Sequence, residues 1–146
     1  MTEGTEAEDN DERVSVDVSG IELTWWPSSR LARMAFSEHN QAPDGGDARL
    51  VSAQLEKWVA GDEPWGFLVD CSSIETAQAG WRNRFSKFFN EHRASSRIAW
   101  YDASPHMLVV IRMFATGLRA SGPLIGEPFA TEDEARAFLR AQGVPA

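Results

Sequence analysis

Within nine consecutive positions, 70–78, the chain places Asp70, Ser72, Ser73, Thr76 and Gln78. A carboxylate, three hydroxyls and a carboxamide supply hydrogen-bond acceptors and donors without a nucleophile–base pair, which suits a recognition loop. The same residue types also cap helices and turn chains, so the loop has a purely local reading as well. Arg82 stands in the first turn of the helix predicted after this loop, and Ser104 and His106 hold the corresponding place after the next predicted strand. Catalysis finds less to work with. There is no Gly-rich phosphate loop, no G-x-S-x-G elbow and no H-E-x-x-H pair. Cys71 follows Asp70, and an anionic neighbour raises a thiol pKa instead of activating it. His39, His92 and His106 lack metal-ligand spacing. The chain is expected to be non-enzymatic, with no cofactor and no metal.

These residues need elements to position them. Apolar residues alternate in 13–18 (Val14, Val16, Val18) and resume from Ile21 through Leu23 and Trp25, with Ser19-Gly20 as a two-residue hairpin turn. Pro27 and two serines interrupt, and 30–36 reads as a third strand. After the polar loop 39–46, Asp47 is placed to cap a helix that runs to Ala60 and stops at Gly61. The short apolar runs 65–69 and 97–101 read as strands buried on both faces. Between them, residues 79–93 carry Trp81, Phe85, Phe88 and Phe89 at helical spacing. Ser104-Pro105 opens a helix whose body, MLVVIRMFATGL, is apolar nearly all round. The edge strand 125–129 contains Pro128, and Thr131-x-x-Glu134 is a capping box for a last helix. Three strands followed by alternating helices and strands give one α/β domain, with N-terminal antiparallel strands continuing into a mostly parallel sheet covered by about four helices. Loop 70–78 then follows the C-terminal end of a parallel strand, where open α/β sheets bind ligands.

Composition narrows the partners. The net charge is −8, and six acids within residues 1–12 supply −6 of it, leaving 16 acids against 14 bases. Residues 1–12 are expected to form a disordered acidic tail, with the domain spanning 13–146. The charge argues against nucleic acid as a partner, and no apolar run is long enough to span a membrane. A single cysteine excludes a disulfide framework within one chain, and the cytoplasm is the expected compartment. Arg82, Arg84, Lys87, Arg93 and Arg97 form a basic cluster opposed nearby by Glu91 alone. Such a cluster suits acidic headgroups, an acidic partner or the acidic tail, and equally a solvated helix face. Of the six tryptophans, Trp25 and Trp26 are adjacent in a strand and must point to opposite faces.

Several segments together resemble the STAS-like (SpoIIAA-like) superfamily of anti-sigma-factor antagonists, in particular its bacterial STAS/SEC14-type branch. They are Phe67-Leu68-Val69-Asp70 with the loop into an aromatic helix, and Arg97-Ile98-Ala99-Trp100-Tyr101 followed by Ser104-Pro105. The third is Glu127-Pro128-Phe129 with the Glu134-Ala135 to Phe138-Leu139 helix. The resemblance extends over residues 13–142. It implies a regulatory module that binds another protein through loop 70–78 and the helix after it. Its SEC14 side implies the alternative of a small-ligand or lipid-binding module. Relatives switch partners by phosphorylating a serine in an Asp-Ser-Ser-Gly turn. Matching that glycine to Gly80 leaves Gln78 and Ala79 where those serines would stand, so the phosphoacceptor is missing there.

Overall fold

The computed structural model describes residues 12–37 and 45–146. The acidic segment 1–11 and most of the polar loop 39–46 lie outside the described residues. Strands β1 (Val14–Val18), β2 (Ile21–Trp26) and β3 (Leu31–Phe36) form an antiparallel meander. Ser19 and Gly20 both have positive φ, 55° and 85°, the conformation a two-residue hairpin requires. Pro27–Ser29 forms a single tight helical turn, and Arg30, at φ 45°, returns the chain into β3. From β3 onward the pairing becomes parallel, through β4 (Trp65–Asp70), β5 (Ser96–Tyr101) and β6 (Ile125–Phe129).

The six strands stand in the order in which the chain makes them. Each parallel crossover steps the same way along the sheet. Right-handed connections therefore put α1 (Gly45–Trp58), α2 (Ala79–Glu91) and α3 (Pro105–Ala120) on one face. The last helix, α4 (Glu132–Ala141), follows the final strand, makes no crossover, and packs on the opposite face. The four expected helices thus divide three to one. Helix boundaries differ from expectation: α1 starts two residues before Asp47 and ends at Trp58 instead of Ala60, and α2 ends at Glu91 instead of 93.

Two cores follow. The larger, under α1–α3, is aromatic: Trp65 contacts Phe67, Phe88 and Phe89, and Trp25 stacks on Trp58 with ring centroids 6.0 Å apart. The smaller joins Leu31, Leu68 and Ala99 to Ala135, Leu139 and Val144. It is thin because α4 lies close. A Cβ on Gly66 would come within 3.1 Å of Leu139 and Leu31 and 3.2 Å of Val144.

Candidate functional site

Loop 70–78 leaves the C-terminal end of β4 as expected, and its first residue is engaged by other side chains of the chain. Strand alternation turns Asp70 onto the α4 face, away from α2. There Arg33 Nη2 donates to Asp70 Oδ2 at 2.9 Å, and Arg33 Nε donates to the Tyr101 hydroxyl at 3.0 Å. Tyr101 donates onward to Glu132 at 3.3 Å. Glu132 accepts from Arg136, whose guanidinium lies over the Trp26 ring at 5.4 Å. The other Asp70 oxygen accepts from the backbone N–H of Ser72 at 2.9 Å and from its hydroxyl at 2.7 Å. Asp70 is therefore a bracket that ties the loop to three strands and α4. Trp26 accounts for the second of the adjacent tryptophans: Trp25 enters the larger core, while Trp26 is half-buried beneath Arg136.

The remainder of the loop faces outward. Ser72, Thr76 and Gln78 are exposed, Ser73 is half-buried, and Ile74 and Ala77 anchor the segment in the core. Gln78 precedes α2 without giving it a side-chain cap. Ser104 does cap α3, accepting from Met107 N at 3.1 Å, so its hydroxyl has a structural role. His106 is exposed in the first turn of α3. Cys71 is buried. Burial first, and the charge of Asp70 next, push its thiol up to about 12. Asp70, Cys71 and His106 do not share a cavity: one points to the α4 face, one is enclosed and one is on the surface.

The structure divides the basic cluster. Arg82 Nε donates to Ala77 O at 3.1 Å. Arg93, past the end of α2, donates to the carbonyls of Leu118 and Gly122 at 2.9 and 2.8 Å, holding the C-terminus of α3. Arg97 bonds the carbonyls of Ala94, Ser96 and Gln142. Arg84 and Lys87 are left without an ion pair among the described residues. Three of the five cations thus serve the fold, because carbonyls at element ends need donors.

A second feature lies over β4 and β5, between α2 and α3. It is an apolar crevice with a volume of about 50 Å³, lined by Phe67, Trp81, Phe85, Trp100, Val110 and Phe114 among others, with Arg82 in its wall. Beside it on α3, Val109 and Met113 are 54% and 62% exposed. Sequence reasoning did not single out Val109 or Met113, nor the Arg33–Tyr101–Glu132 network. The first had a signal: α3 holds more apolar residues than one buried face can use. The network had none, since its members are 31 to 68 positions apart in pairs.

No protein-family model matches the chain, and no curated protein matches its sequence. Solved structures match its shape. An anti-sigma-factor antagonist (STAS) domain protein from Planctomyces limnophilus superposes with a TM-score of 0.59 at 15% identity, covering 82% of this chain and 97% of that one. A protein from Shewanella loihica PV-4 described as having a SpoIIAA-like fold gives 0.54 at 14% identity, covering 88% and 92%. Apo-SiaC from Pseudomonas aeruginosa gives 0.52 at 11%, covering 82% and 99%. The chain has the STAS-like, SpoIIAA-like α/β fold.

Proposed function

We propose that residues 13–146 form one regulatory, non-enzymatic, cytoplasmic interaction domain that binds a partner protein through loop 70–78 and the start of α2. Ser104 and His106 lie at the margin of this surface, and residues 1–12 stand outside the domain. The observation that carries the reading is the clamping of Asp70. The carboxylate is held from behind by Arg33, and it holds Ser72 in turn, so Ser72, Thr76 and Gln78 are presented from a fixed support. A loop already ordered loses less entropy on association. The shape shared with an anti-sigma-factor antagonist domain supports a protein partner. Gln78 and Ala79 at the switch position imply that this interaction is not controlled by phosphorylation there.

The alternative, a carrier of a lipid or other small apolar ligand, draws on the crevice between α2 and α3. About 50 Å³ is room for roughly three or four water molecules, which suits a small apolar group better than an acyl chain. Native mass spectrometry of the untagged chain, captured gently from its own lysate, separates the two. A stoichiometric protein companion is expected, and it should be lost from a Ser72→Ala/Ser73→Ala/Gln78→Ala variant with an unchanged circular dichroism spectrum. A companion that this variant retains would remove the loop from the interface. A bound mass of a few hundred daltons would favour the ligand carrier.

A further inference from the structure

We infer that the cleft between α2 and α3 docks an acidic amphipathic helix of the partner, which inserts one apolar side chain into the crevice. This rests on the protein-partner reading and adds the partner's chemistry. Val109 and Met113 lie one turn apart on the outer face of α3 and are the two large apolar residues that this helix exposes most. Single exposed apolar residues need no explanation. These two adjoin Val110 and Phe114, which are half-buried and descend into the crevice wall, so surface and cavity form one apolar tract. The free volume fits the end of a Leu, Met or Phe side chain.

Charge identifies what surrounds that side chain. α2 and α3 together carry Arg82, Arg84, Lys87, Arg112 and Arg119 against the single acid Glu91. Arg84 and Lys87 line a groove on the α1 side of α2 together with Arg49, Glu56 and Glu91, and Arg112 lines one on the β6 side of α3, where Arg119 pairs with Glu127. Arg84, Lys87 and Arg112 lack an ion pair among the described residues. The apolar tract thus lies between two helices whose outer flanks carry more cations than acids, the complement of a helix whose apolar stripe is flanked by Asp and Glu. An anionic bilayer has the charge but nothing that protrudes to fill a crevice. The chain's own residues 1–12 have the charge, yet beyond Met1 and Ala7 they offer no apolar side chain.

The test uses the full chain as bait for a phage-displayed library of random peptides about 15 residues long, enough for four helical turns. Enriched peptides are expected to be acidic, with Leu, Met or Phe at helical spacing, and a synthetic copy should bind in fluorescence anisotropy. Met113→Asp, a surface change, should weaken that binding about tenfold, while the Ser72→Ala/Ser73→Ala/Gln78→Ala variant should retain it. Basic or neutral peptides, no enrichment, or binding indifferent to Met113→Asp would overturn the cleft. Binding lost only in the loop variant would overturn it too, yet leave the loop interface standing. Competition by a synthetic peptide of residues 1–12 would reassign the cleft to the chain's own acidic segment. Co-sedimentation with phosphatidylglycerol vesicles that Met113→Asp abolishes would reassign it to a membrane surface.

Discussion

The two faces of the sheet are held by different physics. Under α1–α3, bulky rings fill the space, and most of the cohesion is apolar area removed from water. Under α4, a few aliphatic side chains meet a glycine-thinned strand. A chain of charges, Arg33–Asp70 and Tyr101–Glu132–Arg136, covers what α4 does not reach. Apolar contact is non-directional and tolerates a crevice between helices. Charge-assisted hydrogen bonds are directional, and they fix Asp70 and the loop it holds. The aromatic face thus supplies most of the stability and leaves an opening, while the polar face supplies position.

Mutations should separate these roles. Trp65, fully buried among Phe67, Phe88 and Phe89, is the severest case. Trp65→Ala should cost ~3–5 kcal/mol in urea unfolding. Trp65→Phe should cost far less, because the indole N–H has no acceptor among the described residues. On the polar face, Arg33→Met should cost about 1–3 kcal/mol, since it strands a mostly buried carboxylate. It should also speed hydrogen exchange at Ser72 N while leaving exchange in α2 unchanged. If both variants lose equal stability and neither alters Ser72, the division between faces fails.

Alkaline pH probes both faces at once. Burial raises the Cys71 thiol from 9.0 to about 12, and burial also raises the Tyr101 hydroxyl on the other face. The folded chain therefore keeps protons that the unfolded chain has released. Stability from these groups is complete below about pH 8 and is lost as pH rises towards the folded values, by about 2 kcal/mol near pH 10. Cys71→Ala should flatten the first part of that decline, and Tyr101→Phe the later part. The smallest effect should come from the capping box of α4, where Thr131 accepts from Glu134 N at 3.2 Å. Thr131→Ala should cost about 1 kcal/mol, read as a lower thermal midpoint with the larger core intact.

Much of the fold was legible because its causes are local. Val14, Val16 and Val18 alternate, Ser19-Gly20 permits positive φ, Ser104-Pro105 starts a helix and Thr131-x-x-Glu134 starts another. Each fixes an element through neighbours a few residues away. Alternation of helices and strands then fixed the parallel half of the sheet. The candidate loop was found at its place for the same reason. Its chemistry was not: Asp70 looked like a recognition group, and the pleat turned it to the far face, where Arg33 uses it. Arg93 and Arg97 looked like a surface patch, and carbonyl ends claimed them.

Local sequence settles which segments are strands and helices, their order, the concentration of acid in residues 1–12 and the surplus of apolar residues on α3. Which charges remain free, the three-to-one division of the helices and the crevice between α2 and α3 emerge from packing alone. Those outcomes depend largely on residues brought together from distant parts of the chain, 25 positions apart for Arg93 and Leu118 and 68 for Arg33 and Tyr101, and such pairings follow from how faces pack, which no local periodicity encodes.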